Sequence, residues 1–394
     1  MSYPTSAYLH IPFCRRRCYY CDFAISVVGD SPLRNDSAIA TDYVNYLCQE
    51  IKLTAIKDKP LQTVFFGGGT PSLLPVKQLE TVLLTLENHL GIAPNAEISL
   101  EIDPGTFDRD RLQRYIELGI NRLSLGVQTF DSKLLEICGR THNTKDIYDA
   151  IASIRQTNLK NFSIDLITGL PHQTIEHCRQ SLETAIEIAP PHISCYDLVL
   201  ESVTAFGKQY ETGIAPLPTD EATRTMYQLT QQMLTRQGYQ HYEISNYART
   251  GYWCRHNKVY WENKPYYGFG MSAASYFNNV RFSRPRTRKA YYDWVRQGAI
   301  IDAPTNTAND DLLETLMLGL RLAEGVSLSR ITRKYGRAIA SEISSCLKPY
   351  IEQKLVAIYN IEGSTRIKLS DPEGFLLSNT ILATLFNKLE RVSF

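Results

Sequence analysis

Six short apolar runs alternate with helical patterns along the first half of the chain, and this alternation restricts the fold more than any other feature. The runs are AYLHI (7–11), TVFFGGG (63–69), ISLEIDP (98–104), RLSLGVQ (122–128), FSIDLITGLP (162–171) and HISCYDLVLE (192–201). Between them, Ile39, Tyr43, Leu47 and Ile51 recur four residues apart, the spacing of one helical face. Val76, Leu79, Leu83, Leu86 and Leu90 form a second such face, and Ile147, Ile151 and Ile154 a third within 144–157. Strands alternating with helices of this length predict a parallel sheet flanked by helices. Six units instead of eight predict an open, partial (β/α)6 barrel. Polar residues recur where the strands end: Thr70, Glu101, Gln128, Asp165 and Glu201. In β/α barrels the C-terminal strand ends carry the chemistry.

The rest of the chain divides further. A long helix is expected after Thr219, with Met226, Leu229 and Met233 on its face. An aromatic-rich connecting segment is expected over 239–302, so the barrel would occupy 1–238. From 303 to 394 a smaller α+β module is expected, with helical patterns leading to the hairpin LVAIYNIEGSTRIKLS, turned at Gly363 and Ser364. Helices followed by a hairpin describe a winged-helix-like domain. Glu362 at the hairpin tip, and the absence of a basic stripe, argue against nucleic acid as its partner.

At 394 residues the chain is long enough for two or three domains. Lys+Arg number 42 and Asp+Glu 41, so overall charge favours neither nucleic acid nor an anionic membrane. No run approaches the ~20 apolar residues that span a bilayer, although peripheral contact stays open. The opening MSYPTSAYLHIPFC lacks the charged and apolar regions of a secretory signal. Nine cysteines without such a signal point to a reducing cytoplasm.

Three of those cysteines, Cys14, Cys18 and Cys21, lie in HIPFCRRRCYYCDF with the spacing C-x3-C-x2-C. A saturated [4Fe–4S] cluster takes four thiolates. Three leave one iron open to an exchangeable ligand such as S-adenosylmethionine (SAM). A zinc loop, or three unrelated buried thiols, is the alternative reading. Gly67, Gly68 and Gly69 follow the second strand without the Gly-x4-Gly-Lys-Ser/Thr pattern of a phosphate loop. Lacking Cβ atoms, they let the backbone approach a ligand closely. Glu101 is placed to accept two hydroxyl hydrogen bonds, as from a ribose. Arg15, Arg16 and Arg17 separate the first two cysteines. They either form a solvated loop or attract an acidic electron donor.

The string AYLHIPFCRRRCYYCDF resembles the opening of the HemN/HemW branch of the radical SAM superfamily, and the resemblance extends to the C-terminus. It implies a partial barrel, a [4Fe–4S] cluster on the three cysteines, and SAM held by Tyr8, Tyr20, Gly68, Gly69, Thr70, Glu101, Gln128, Arg140 and Asp165. Tyr8 would pack on SAM, and Arg140 would clamp a carboxylate with two parallel hydrogen bonds or else form a surface salt bridge. His10 would sit near the cluster or serve as a core residue. A flavodoxin or ferredoxin would be the implied reductant.

The branch holds two functions, oxygen-independent coproporphyrinogen III oxidation and heme delivery by a chaperone. The oxidase has a further cysteine two residues after the third, where this chain has Phe23, and a longer arm than the 13 residues before Cys14. CRHNKVYW (254–261) contains H-N-x-x-Y-W, similar to the heme motif of the chaperones. The resemblance therefore implies a heme chaperone without oxidase activity, delivering to an acceptor protein. His256 would be the axial ligand and Asn257 its tautomer-fixing partner. Tyr260 and Trp261 would offer flat apolar faces, and Cys254 would be a second ligand, an anchor or a free thiol. The chain departs from that family at Ala274, where histidine is usual.

Overall fold

The computed structural model describes residues 3–30, 33–361 and 363–389. Its centre is a nine-stranded sheet. The six expected strands form it in sequence order, each parallel to the next: β1 (Ser6–Ile11), β2 (Leu61–Gly68), β3 (Ile92–Ile102), β4 (Arg122–Gln128), β5 (Phe162–Thr168) and β6 (His192–Asp197). Their registers are strict. Ser99 pairs with Arg122, and Glu101 with Ser124, so inward positions fall in layers. β3 begins six residues before the expected Ile98, because Ile92 already pairs with Leu61 ahead of a register shift. β6 ends at Asp197, leaving Glu201 beyond the strand on an exposed turn.

The helices between the strands follow the periodicities. Ala38–Thr54 buries Tyr43, Leu47 and Ile51, and Val76–His89 buries Val76, Leu79, Leu83 and Leu86. Thr144–Arg155 starts with a reciprocal cap between Asn143 and Asp146, which satisfies two orphan N–H groups at once.

The segment 239–302, expected as a connector, is built into the barrel. Asn246–Ala248 runs antiparallel to β6, with Gln240–Glu243 outside it, while Tyr267–Phe269 adds in parallel to β1. Both sheet edges are thus extended by this one segment. Tyr239, Tyr247, Tyr267, Phe269 and Tyr291 join the same buried core as the barrel strands. Gly268 is obligatory there: a Cβ would lie 1.9 Å from the Ala274 carbonyl oxygen.

One buried ion pair fastens this segment to the first helix. Glu50, fully buried, accepts from Arg284 Nε (2.7 Å), Gly270 N (2.8 Å) and Tyr291 Oη (2.6 Å).

The C-terminal module has its own core, including Leu316, Ile331, Ile343, Ile367 and Leu385. Helix Ala308–Gly319 precedes a short strand, Val326–Ser327, and helices Leu328–Tyr335 and Arg337–Glu352. The hairpin Val356–Ile361/Ser364–Leu369 follows, completing a three-stranded sheet in winged-helix order. Gly363 turns it at φ 75°; Glu362 lies outside the described residues. No helix among the described residues is long and apolar enough to cross a membrane.

Candidate cofactor site

The cluster loop leaves β1 and folds over the C-terminal mouth of the barrel. Its arginines are largely tied to the protein. Arg17 Nη1 donates to the carbonyls of Cys21 and Phe23 (both 3.0 Å), and Arg15 Nη2 donates to Gly105 O (2.8 Å). Arg16 pairs with Asp30 on the surface. Loop shape, more than solvent or an electron donor, therefore explains Arg15 and Arg17.

His10 holds the loop from below. Its Nε2 lies 2.8 Å from Ala24 O and its Nδ1 3.1 Å from Tyr8 Oη. A carbonyl only accepts, so Nε2 carries the proton and Tyr8 donates to Nδ1. Burial drives the His10 pKa down to about 4, so the ring is neutral at physiological pH.

Cys14, Cys18 and Cys21 all face one cavity of about 650 Å³. Burial pushes Cys14 up to about 12 and raises Cys21, and each of these thiols feels the Coulombic field of another of the three. Without metal they are thiols; a bound cation would deprotonate them. Among the described residues, no three such side chains converge on a point for a single ion. The three cysteines line one open cavity, which fits a cluster held by three corners.

Gly68 and Gly69 line the same cavity, directly against the cluster loop. A Cβ on Gly68 would meet the His10 ring at 2.5 Å, and Gly68 has φ 114°. On Gly69 it would meet Phe13 O at 2.8 Å and Cys14 Sγ at 2.9 Å. Gly69 is thus demanded by the cluster loop packing on it, Gly68 by His10, and Gly67 by Tyr8, Phe65 and Glu101. Gly68 N donates to Glu101 Oε2 (3.0 Å). Burial lifts the Glu101 pKa to about 8 against that hydrogen bond.

Arg140 is neither a surface salt bridge nor a free clamp. Its side chain is 8% exposed and pairs with Asp103 at 2.7 Å. It also donates to Gly126 O (3.1 Å), Tyr20 Oη (3.3 Å) and Cys18 Sγ (3.4 Å). Asp103 in turn accepts from Thr70 Oγ1 (3.3 Å), which itself reaches Cys14 Sγ at 3.7 Å. One network therefore addresses two of the three sulfurs, and such bonds tune cluster potential. Asp165, the register partner of Gly126, lines the same cavity and accepts from Ser124 (2.7 Å) and Ser163 (2.8 Å). Gln128 stands at the end of β4 with φ 67°.

The H-N-x-x-Y-W string forms the short helix Arg255–Trp261. Glu97 of β3 caps it, accepting from Arg255 N and His256 N (both 3.0 Å) and from Cys254 Sγ (3.7 Å). His256, Asn257 and Tyr260 line the same cavity as the three cysteines. His256 is fully buried and stacks on Phe65 at 5.3 Å.

Both ring nitrogens are engaged: Nδ1 with Thr63 Oγ1 and Nε2 with Tyr260 Oη, each at 2.8 Å. Thr63 and Tyr260 orient this ring, not Asn257. Burial lowers its pKa to about 3, so it is neutral. Trp261 does not line the cavity; it lies under the Arg321 guanidinium of the C-terminal module (5.9 Å). Cys254 is buried, its pKa pushed up to about 12, and its thiol is spent on Glu97.

Sequence reasoning missed Asp103 and Arg122. Both were visible in the strand alternation: Asp103 is in phase with Glu101, and Arg122 with Ser124, Gly126 and Gln128.

Comparison with known proteins agrees with this geometry. The radical SAM superfamily model matches residues 8–185, and the HemN C-terminal domain model matches 306–360. The fold resembles that of coproporphyrinogen III oxidase (HemN) from Escherichia coli, with a TM-score of 0.81, covering 99% of this chain and 90% of that one. At 24% identity that likeness concerns the fold alone. Among curated proteins, the chain is 48% identical to heme chaperone HemW of Synechocystis sp., covering 98% of this chain and 97% of that protein. It is 34% identical to HemW of Bacillus subtilis (98% and 100% covered) and 36% identical to HemW of Escherichia coli (96% and 97%). With such identity over nearly the full length, on a barrel whose mouth gathers the three cysteines, the chain belongs to the HemW family of radical SAM proteins.

Proposed function

We propose that this chain is a heme chaperone: it binds heme through the Arg255–Trp261 helix and passes it to an acceptor protein. It would do so next to a [4Fe–4S] cluster on Cys14, Cys18 and Cys21, with SAM between the cluster and β3–β5. The observation that carries this reading is the shared cavity. His256, Asn257 and Tyr260 open on the same space as the three thiols.

Held by Cys14, Cys18 and Cys21, a cluster would supply one-electron redox chemistry to bound SAM. The protein's part is to place the ligands. Arg140 and Thr70 hold Cys18 and Cys14, and neutral His10 fixes the loop. Glu101 and Asp165 present acceptors in successive directions along the cavity. For His256 to reach heme iron, its hydrogen bond to Tyr260 must open, because both ring nitrogens are engaged. Tyr260 lies four residues on along the same helix, so its side chain would turn away to release Nε2. The acceptor protein and a flavodoxin- or ferredoxin-type reductant complete the proposed cycle, which would run in the cytoplasm.

The test is to reconstitute the cluster anaerobically and supply heme and coproporphyrinogen III separately, with SAM and reductant. A stoichiometric Soret band and no decarboxylated product are expected. Multiple turnovers to protoporphyrinogen IX would overturn the chaperone reading in favour of the oxidase.

A further inference from the structure

Arg122 has no role in the network at the cavity mouth, and it is the largest fully buried side chain among the described residues. It is 2% exposed, lines the cavity, and donates no hydrogen bond among the described residues; its Nε is buried without a partner. Leaving such a group unpaired costs several kcal/mol by order of magnitude.

Discharge does not relieve that cost. Burial opposes the charge, but the carboxylates of Glu97 and Asp165 around it hold the guanidinium in its charged form. Glu97 does not neutralise it by contact, since that carboxylate is committed to the helix N-terminus. Ser99, the register partner of Arg122, also has its hydroxyl buried without a partner. The guanidinium fork on the cavity wall makes a seat for a carboxylate.

Position selects which carboxylate. Arg122 stands four residues before Gly126 on β4, about 13 Å along the strand at ~3.3 Å per residue. Gly126 O is bonded to Arg140 beside Cys18, so an amino-acid group held at the cluster is a full cavity length from Arg122. His256, in contrast, feels the Arg122 charge directly. Cys254 and Glu97, which flank Arg122, cap the helix that carries His256. The imidazole and the guanidinium both line the one cavity.

We propose that Arg122 anchors a propionate carboxylate of the porphyrin whose iron His256 ligates. This rests on the heme-chaperone reading and adds the group that orients the macrocycle. The seat would discriminate porphyrins by their free carboxylates and leave SAM binding untouched.

The test compares iron protoporphyrin IX with its dimethyl ester, using reconstituted wild type, Arg122→Gln and Arg122→Lys. SAM affinity and iron–sulfur content are measured on the same preparations. Wild type should bind the free acid at least tenfold more tightly than the ester. Arg122→Gln should bind both at the ester's affinity, Arg122→Lys should keep part of the preference, and SAM affinity should hold in all three.

Equal affinities in the wild type would overturn the proposal, and this comparison needs no variant to fold. So would a preference that survives Arg122→Gln, in which case water serves the guanidinium. A loss of SAM affinity with heme affinity intact would also overturn it, since the anchor would then belong to the amino-acid group of SAM. Failure of the chaperone reading is separable: it appears as wild-type protein that binds neither porphyrin.

Discussion

Cys18→Ala is expected to lose the iron–sulfur centre outright, the largest effect of any single change in this protein. Cys18 is one of the three thiols that line the cavity, while the neighbouring Cys138 is buried away from it, so removing Cys18 leaves two corners of a four-iron cube held. The Arg140 guanidinium, now 3.4 Å from Cys18 Sγ, would also lose that acceptor. Cys14→Ala and Cys21→Ala should behave alike. Cys48 and Cys346 lie outside the cavity, on the Ala38–Thr54 and Arg337–Glu352 helices, and their replacement should leave iron content unchanged. Iron and sulfide analysis with electron paramagnetic resonance of the reduced protein reads the result. An iron count near four in Cys18→Ala would remove the cysteine loop as the cluster site.

The largest effect on stability is expected at a residue far from that loop. Glu50→Ala leaves Arg284, 1% exposed in its side chain, as an unpaired buried cation, and strips an acceptor from Gly270 N and Tyr291 Oη. Breaking a buried, hydrogen-bonded pair from one side costs about 3–5 kcal/mol. The Arg16–Asp30 pair, with both side chains about two-thirds exposed, serves as the contrast. Solvent screens it, so Arg16→Ala should cost ~1 kcal/mol or less. Urea unfolding of the two apo-variants, followed by tyrosine and tryptophan fluorescence, measures both. A Glu50→Ala midpoint as close to wild type as that of Arg16→Ala would show that the 239–302 segment is held by apolar packing alone.

Glu50 also shows where a sequence stops being readable. Its partner Arg284 is 234 residues away, and nothing in the helical pattern of Ala38–Thr54 distinguishes a buried acid from an exposed one. The barrel strands were legible because alternation and apolar runs are local. Six of them, with the polar residues Thr70, Glu101, Gln128 and Asp165 near their ends, follow from period and length.

Glu201 was misplaced by the same rule, because the apolar run LVL continues past Asp197 where the strand has already stopped. The edge strands Asn246–Ala248 and Tyr267–Phe269 are three residues each, too short for a period to register. At the heme motif, the residue types were plain but their partners were not. Asn257 is next to His256 in sequence, whereas Thr63, which holds the ring, is 193 residues away. Trp261 follows Tyr260 directly, yet the helix turns it toward Arg321 and away from the cavity.

That last difference gives the central claim its most direct measurement. Heme is titrated into reconstituted wild type, His256→Ala and Trp261→Ala, with the Soret band and the iron–sulfur content recorded together. If the barrel cavity is the heme site, His256→Ala should weaken binding and shift the Soret band, Trp261→Ala should leave the spectrum unchanged, and cluster content should be constant in both. Heme affinity and spectrum unchanged in His256→Ala, or a Soret shift in Trp261→Ala alone, would contradict the account and place heme outside the cavity.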